Sequence, residues 1–473
     1  VVGRGCTVLF GPEQDSAPTS DYSLYLPSTV LVTGYDIIFF WVARMIMMTT
    51  HFTGRVPFKD VYIHGLVRDA QGKKMSKSEG NVLDPVDLID GIALEPLLDK
   101  RSQGLRKPET APQVRKNTQK EFPEGIPAYG ADALRFTFAS LATLGRSINF
   151  DSKRCEGYRN FCNKLWNACR FAFMNLEGYE AGAVREQQLQ VEDRWIFSRL
   201  ATTVRDVTQM LERYQFDQAT RAVREFTWNE FCDWYLEMLK PRFRSAEQRG
   251  VAQRCLVVVV DALLRLLHPF APFITEELWH KLNEVAPLRG LTEPAAGSSS
   301  VMIASWPQAQ LERIDEVLER RFERLQQTIA AVRNVRSVYG ISPTAQLKLF
   351  MKCDPAVAEQ LQSVAAQFDF LARTMLEAAG LDISRPKGAA GFSLGDAEGY
   401  IPLEGLIDRE AELARQSREA EKVRGFIRGH EAKLANPGFL AKAPEKVVAE
   451  IRETLDNLRS QLAAAERIIA DLS

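Results

Sequence analysis

The stretch Lys74-Met75-Ser76-Lys77-Ser78 constrains this 473-residue chain more than any other part of its sequence. It places two ammonium groups three positions apart in a polar loop. The apolar run Val61 to Val67 precedes it. Asp84-Pro85 follows it, and a capping aspartate before a first-turn proline predicts the start of a helix. Loops between a strand and a helix hold ligands in open α/β sheets. Because lysine is a mobile charge suited to phosphate oxygens, we predict a clamp for a triphosphate.

The alternative interpretation of this loop is a solvated turn. Two lysines and two serines alone would favour that alternative. The order of all five residues argues for function, because a given pentapeptide rarely arises by chance in one chain.

Composition is that of an ordinary soluble globular protein, with a formal net charge of −1, 26% charged and 45% hydrophobic residues. Any contact with RNA must therefore come from local basic faces. No uncharged apolar run is long enough to span a membrane, so we expect a cytoplasmic protein with no membrane partner. Cys155, Cys162 and Cys169 recur every seven residues on one helix face, which favours packed thiols over a zinc or other metal site.

The first elements are predicted from local pattern. Residues 1–24 form an unpatterned leader, and Ser28–Thr33 is a β-branched strand. A helix from Ile37 to Thr50 follows, with Asp36 as its cap, and the run Val61–Val67 is a second, parallel strand. Asp36 is also placed to accept hydrogen bonds from a ribose, and both roles stay open.

Three segments together resemble the valyl-tRNA synthetases, which are class I aminoacyl-tRNA synthetases. They are Val30 to Met45 (VLVTGYDIIFFWVARM), Tyr62 to Asp69 (YIHGLVRD) and the lysine loop, and the likeness runs from about Ser28 to the C-terminus. The resemblance implies ATP-dependent activation of L-valine to valyl-adenylate and transfer to tRNA(Val), with Mg²⁺ accompanying ATP. It also implies a monomer.

The resemblance assigns roles to residues of the nucleotide site. Lys77 is the principal phosphate contact and Lys74 assists it. Trp41 contributes one wall of the amino-acid pocket. The remaining ATP-binding residues lie by the ribose, by the adenine or in the loop: Gly34 and Asp36; His64, Gly65 and Val67; Met75, Ser76 and Ser78. A lone histidine in a strand is more often a core residue, and this stays the alternative for His64.

The chain departs from this family in two respects. We find no equivalent of the family's His-Ile-Gly-His motif and no inserted editing domain. A hydrophobic valine pocket cannot strongly reject threonine, so editing matters for accuracy. We therefore expect the C-terminal half of such an enzyme, inactive alone. Two alternatives stay open: a non-catalytic tRNA-binding module of the same lineage, and a coiled-coil interaction protein with a relic ATP loop.

The predicted fold class is α/β followed by mainly α. Residues 25–150 form the C-terminal part of a Rossmann-type catalytic domain with a partial parallel sheet, a surface excursion at 104–123 and a connector at 145–150. Residues 151–338 form a helical anticodon-binding bundle, and 339–407 a small α+β module. In that module Leu347–Phe350 pairs with Tyr400–Leu403, and a helix spans Ala356–Ala379. Residues 408–473 carry a heptad pattern and form an antiparallel coiled coil.

Two basic or polar helix faces are candidates for tRNA contact. In the bundle they are Asn160, Lys164, Asn167 and Arg170. On the first arm of the coiled coil they are Arg415, Arg418, Lys422, Arg424 and Arg428. The resemblance implies that the first set contacts the anticodon and the second the tRNA elbow through phosphates. A solvated helix face is the alternative for both.

Overall fold

The computed structural model describes residues 20–143, 145, 147–436 and 444–472. The chain divides into two compact units, Val1–Ile314 and Asp315–Ser473. The leader prediction for residues 1–19 and residues 437–443 of the predicted coiled coil lie outside the described residues. No helix in the described part of the chain is both long and apolar enough to cross a membrane.

A two-stranded parallel sheet opens the first unit. Strand β1 (Ser28–Gly34) pairs with β2 (Phe58–His64), and Gly34 lies opposite His64. A 3-10 turn (Tyr35–Ile37), a π-helical turn (Ile38–Val42) and an α-helix (Ala43–Thr53) join them. The first predicted strand, in which β-branched residues are most frequent, and the parallel direction of the pair are thus confirmed.

The second predicted strand is wrong in its bounds, since β2 ends at His64. A separate short strand β3 (Val67–Arg68) pairs in parallel with β4 (Ile148–Asn149), inside the segment predicted to be a connector. The expected cap by Asp36 is also wrong. Asp36 lies inside the 3-10 turn rather than before a helix, and neither this turn nor the π-helical turn after it has a side-chain cap.

Two further expectations about this unit are corrected. The leader prediction is wrong for residues 20–24, because a helix spans Ser20–Tyr25. The Arg55 guanidinium lies 5.3 Å from the centroid of the buried Tyr22 ring. The predicted surface excursion contains a helix, Ala111–Glu121, which packs on the helix Leu94–Ser102. The buried Arg101 holds the two together by bonding Thr118 and Glu121.

Helices make up the rest of the first unit. The helices Ser20–Tyr25 and Ala43–Thr53, already described, are numbered α1 and α2. The other helices of this unit, in chain order, are α3 (Pro85–Asp90), α4 (Leu94–Ser102), α5 (Ala111–Glu121), α6 (Ala131–Leu141), α7 (Lys153–Met174), α8 (Val191–Glu212), α9 (Phe216–Glu225), the π-helix Phe226–Tyr235, α10 (Leu236–Arg244), α11 (Arg249–Leu267) and α12 (Pro272–Val285). Short 3-10 turns span Lys77–Glu79, Pro108–Thr110, Glu186–Gln188, Val301–Ile303 and Leu311–Arg313. Strands β5 (Leu288–Arg289) and β6 (Ala295–Ala296) form a small antiparallel pair. The core consists of aromatic and aliphatic side chains at helical spacing, as predicted.

The second unit begins with α13 (Glu316–Val338), which Asp315 caps through the N–H of Leu318. The predicted bundle at 151–338 includes this helix, whereas the chain divides before it, at Ile314. A four-stranded sheet follows in the order β8-β7-β10-β9. Its strands and two helices are β7 (Leu347–Lys352), α14 (Pro355–Ser363), α15 (Ala365–Ala372), β8 (Thr374–Gly380), β9 (Ala389–Ser393) and β10 (Glu398–Pro402).

The predicted pairing of the first and last strands of this sheet is confirmed, with Tyr400 opposite Phe350. The single helix Ala356–Ala379 is wrong. It breaks after Ser363 and ends at Ala372, and Thr374–Gly380 is a strand parallel to β7. Strand pairing overrides the helix propensity of Met-Leu-Glu-Ala-Ala here.

Two long helices close the chain, α16 (Arg409–Ala435) and α17 (Glu445–Leu472). Val423, Ile427 and Leu455 are buried between them. Arg424 of α16 pairs with Glu466 of α17, and Glu431 of α16 pairs with Arg459 of α17. The earlier residue of α16 thus meets the later residue of α17, so the two helices run antiparallel.

Candidate functional site

The lysine loop leaves the sheet at the carboxyl end of β3. Lys74 forms an isolated antiparallel bridge with Arg68, so the chain doubles back on the strand before it enters the motif. Ser76 is extended, and Lys77–Glu79 form one 3-10 turn that ends at Gly80. The hydroxyl groups of Ser76 and Ser78 are 2.8 Å apart and bond to each other.

Two side chains outside the motif hold the loop. The Asp69 carboxylate, only 6% exposed, accepts hydrogen bonds from the N–H groups of Gln71 (3.1 Å) and Lys73 (2.7 Å) and from the amide of Asn81 (2.9 Å). Asn81 in turn donates to the Lys74 carbonyl and accepts from the Ser76 N–H at 2.9 Å. The first three residues of the motif are therefore held, directly or through Asn81, by one buried carboxylate.

Sequence reasoning missed Asp69 and Asn81. The local signals were present: an Asp three residues before Gly72 and an Asn directly after Gly80 are both typical of turns. What the pattern could not show is that these two side chains bond to each other across the motif.

Gly80 is required where the loop meets the helices. Its φ is +68°, and an added Cβ would lie 2.7 Å from the Arg101 carbonyl oxygen and 2.7 Å from Val114 Cγ1. No other residue fits both the left-handed conformation and this close approach. The end of the loop thus packs directly on α4 and α5.

Lys74 and Lys77 are exposed, and neither ammonium group has a hydrogen bond or ion pair within the described part of the chain. Nearby acidic groups are engaged elsewhere: Lys100 binds Asp84 at 2.7 Å and Asp87 at 2.9 Å. The hydrogen bond from Lys100 lowers the pKa of Asp84, and the charge of Lys77 contributes at longer range. The two lysines are therefore free to bind an external anion.

The residues expected around the ribose and base lie at the carboxyl ends of β1 and β2. Gly34 and His64 are opposite each other. A Cβ on Gly34 would lie 2.7 Å from Asp36 Oδ1 and 3.6 Å from His64 Cε1, so these three residues meet. The His64 ring nitrogen Nδ1 lies 2.9 Å from the Gly65 carbonyl oxygen. Val67 is in β3, and Met75 is half-buried in the loop.

Trp41 lies on the π-helical turn and is 44% exposed. Phe39 and Phe40 beside it are also exposed. Its place in an amino-acid pocket therefore stays a prediction.

The cysteine stripe on α7 is confirmed as packed thiols in Cys155 and Cys169, which are buried. Burial raises the pKa of Cys162 to about 12, so this thiol stays protonated at neutral pH. Among the described residues, no group of three or more His, Cys, Asp or Glu side chains is placed to hold a metal ion.

The four polar residues predicted on the bundle differ in their contacts within the protein. Lys164 binds Asp233 and lies 3.9 Å from the Trp228 ring centroid, so it is engaged within the protein. Asn160, Asn167 and Arg170 are exposed on α7. Of the four predicted residues, Asn160, Asn167 and Arg170 are therefore accessible to an external partner.

The basic edge of α16 is largely neutralised by glutamates. Arg415 pairs with Glu412, Lys422 with Glu419, and Arg428 with Glu421. Arg424 contacts both Glu421 and Glu466. Arg418 is exposed and has no ion pair with any residue the structure describes.

Three family models match the chain. "tRNA synthetases class I (I, L, M and V)" matches residues 8–151, and "Anticodon-binding domain of tRNA ligase" matches 193–351. "Valyl tRNA synthetase tRNA binding arm" matches 408–473. The lysine loop lies in the first match and the α16–α17 pair in the third.

Similar curated proteins carry the name valine–tRNA ligase. The protein of Chromobacterium violaceum is 50% identical over 94% of this chain and 47% of its own length. The protein of Laribacter hongkongensis is 49% identical over 94% of this chain and 46% of its own length. That of Neisseria meningitidis serogroup B is 48% identical over 96% of this chain and 47% of its own length. The chain spans about half the length of these relatives.

Among solved structures, the LeuRS of Agrobacterium radiobacter K84 in its ternary complex is 21% identical, with a TM-score of 0.42 over 61% of this chain and 30% of that chain. The sequence identity to the named relatives and the three family models together make this chain similar, over most of its length, to the valyl-tRNA synthetases among the class I aminoacyl-tRNA synthetases.

Proposed function

We propose that this chain carries the phosphate-binding loop and the tRNA-binding parts of a valine–tRNA ligase. That enzyme uses ATP to activate L-valine and transfers the valyl group to tRNA(Val). One observation carries the proposal: Lys74 and Lys77 are unpaired within the described residues, on a loop that Asp69 and Asn81 hold. The chain is also about 50% identical to valine–tRNA ligases.

Activation of valine requires positive charge near the leaving phosphates, and the two lysines of the loop can supply it. A carboxylate oxygen of valine attacks the α-phosphorus of ATP, the bond to the β-phosphate bridging oxygen breaks, and pyrophosphate leaves with the electron pair. Charge grows on the leaving group, and two positioned ammonium groups stabilise it. In this proposal Lys77 contacts the leaving phosphates and Lys74 assists it, while Gly34, Asp36 and His64 lie by the nucleoside.

The Mg²⁺ that accompanies ATP is assigned no protein ligands, since the described residues hold no metal-binding group of three or more. Mg²⁺ in such reactions is commonly held through substrate phosphates and water. We further propose that the enzyme acts as a monomer in the cytoplasm, where its tRNA substrate is used.

The test is valine-dependent ATP–pyrophosphate exchange by the native protein that contains this sequence. Lys77→Ala is expected to lower the exchange rate by about 10²-fold or more, because one stabilising group of the transition state is lost. Lys73→Ala is the matched control, since Lys73 is a neighbouring exposed lysine whose backbone N–H, not its ammonium group, holds the loop. An unchanged rate in Lys77→Ala, or an equal loss in Lys73→Ala, would contradict the proposed clamp.

A further inference from the structure

A cavity of about 380 Å³ lies between α11 and the segment that carries β5 and β6. Its size is in the range of sites for small ligands. Among the described residues, none from the lysine loop or the expected nucleotide site lines it. Thr292, Ala295 and Ala296 on its rim are exposed, so the cavity is open to solvent. It is therefore separate from the site that the proposed function uses.

The charged lining of this cavity is mainly cationic. In the described part of the chain it consists of Arg265, Arg289 and Arg313 with one carboxylate, Asp261. Asp261 accepts hydrogen bonds from Arg289 Nε at 2.6 Å and from Arg265 Nη2. Arg313 pairs with Glu186 at 3.4 Å. Three guanidinium groups thus share two carboxylates, which leaves a surplus of positive charge at the cavity.

Arg289 is only 6% exposed, and its hydrogen bonds are incomplete. Its Nη1 donates to Asn283 Oδ1 at 2.7 Å and to the Ala286 carbonyl oxygen at 3.1 Å. Its Nη2 is buried and has no acceptor among the described residues, and the same holds for Arg265 Nε. A charged donor that is buried without an acceptor is unfavourable, so these N–H groups call for an acceptor from outside the chain.

The Arg289 guanidinium is held in place from two sides. Its Cζ lies 4.3 Å from the centroid of the buried Trp279 ring. An added Cβ on Gly297 would lie 2.5 Å from Nη2, so the guanidinium packs directly against this glycine. A guanidinium fixed in this way is suited to the oxygens of a phosphate or carboxylate. Its burial favours a small free anion over the backbone of a polymer, which stays at the surface.

We propose that this cavity binds one small oxyanion of phosphate size, which accepts hydrogen bonds from Arg289 Nη2 and Arg265 Nε. Such an ion supplies several acceptor oxygens and the negative charge that the three arginines lack. The inference does not rest on the proposed function. A phosphate group of RNA offers the same chemistry, and the test below distinguishes the two sources.

The test measures binding of inorganic phosphate to the full 473-residue chain by titration calorimetry, at constant ionic strength set with chloride. Arg289→Lys is expected to weaken phosphate binding about 10-fold or more, because lysine keeps the charge beside Asp261 but lacks the Nη2 donors. Arg254→Lys is the matched control. Arg254 is also on α11 and donates to a backbone carbonyl, that of Glu180, but it does not line the cavity. This variant should bind phosphate as the unmodified chain does.

Thr292 offers a second pair of variants that leaves all three arginines in place. Thr292 is exposed at the rim, so substitutions there should leave the fold intact. Thr292→Glu is expected to weaken phosphate binding about 10-fold, because its carboxylate repels the anion or takes its place at the arginines. Thr292→Gln has nearly the same size without the charge and should retain binding.

The outcomes decide the proposal even if Arg289→Lys fails to fold. Saturable phosphate binding that Thr292→Glu weakens and Thr292→Gln retains supports it. An unmodified chain that binds no phosphate overturns it, as does a folded Arg289→Lys variant with unchanged affinity. An excess of an RNA hairpin should leave phosphate binding unchanged. If the hairpin displaces phosphate, the arginines belong to an RNA-binding surface, and the assignment to a small free anion is overturned.

Discussion

At the scale of single residues, the loop depends on a carboxylate that is not part of the motif. Asp69 is buried and accepts three hydrogen bonds, two of them from backbone N–H groups. Removing an acceptor leaves those donors unsatisfied, which typically costs about 1–3 kcal/mol. The position of both lysines is therefore coupled to Asp69 although it does not contact the phosphates in our proposal.

Asp69→Ala is expected to lower the rate of valine-dependent ATP–pyrophosphate exchange by about 10²-fold, because a small misplacement of catalytic groups has effects of that size. Asp69→Asn is expected to retain more activity, since its amide oxygen can still accept from Gln71 and Lys73. Separate kcat and KM values for ATP are the measurement, with RNA affinity as the control that should not change. Equal rates for Asp69→Ala and the unmodified protein would show that the loop positions itself.

At the scale of elements, a buried ionic cluster joins two helices of the bundle. Arg242 on α10 contacts Glu192 at 3.1 Å and Asp193 at 2.8 Å, both on α8, and Tyr235 donates to Asp193. All four side chains are buried. Burial raises the pKa of the Glu192 carboxyl above its usual value, with Arg242 opposing this shift. Glu192 therefore holds its proton more tightly in the folded than in the unfolded protein.

This shift has a defined sign for stability. A carboxyl whose pKa is raised on folding contributes most at low pH and loses that contribution as pH rises from the unfolded pKa through the folded one. Glu192→Gln is thus expected to match the unmodified protein below about pH 4 and to be relatively more stable at pH 7. Urea unfolding at both pH values measures it. A variant that is relatively less stable at pH 7 would contradict this interpretation.

Arg242→Met removes the cation of the same cluster, whereas Glu192→Gln removes one of its carboxylates. It leaves two buried carboxylates without their cation, and breaking a buried ion pair in this way typically costs about 3–5 kcal/mol. Together the two variants separate the cost of burying Glu192 from the compensation that Arg242 provides.

At the scale of the whole molecule, charge is balanced and attraction to RNA is local. The formal net charge is −1, and most basic groups on the edge of α16 are paired with glutamates. Exposed ion pairs contribute little to stability, but a paired arginine has less to gain from a phosphate. We therefore expect few residues of this arm to account for any binding to tRNA.

Arg418→Ala is expected to weaken tRNA binding and to reduce the slope of log affinity against log salt by about one, since an unpaired arginine releases about one counterion at a phosphate. Arg424→Ala is the matched comparison, because Arg424 already contacts two glutamates. It should change the slope little. Equal slopes for both variants would show that the pairing in the free protein does not decide the contacts with tRNA.

The sequence by itself determined the elements whose signals are local. The β-branched run at Ser28, the Asp84-Pro85 helix start and the three-four spacing of the closing helices each specify a backbone conformation from neighbouring residues alone, and each is found. The order of residues in the lysine loop likewise identified the candidate site, because such a motif depends on adjacent positions.

Tertiary structure decided what depends on partners distant in the chain. Thr374–Gly380 is a strand because it pairs with β7, although its own residues favour a helix. Asn81 reaches across the motif to Asp69, and glutamates on both closing helices neutralise Arg424. The physical reason is the same in each case: propensity and capping act within a few residues, whereas pairing, burial and charge compensation require segments that only the folded chain brings together.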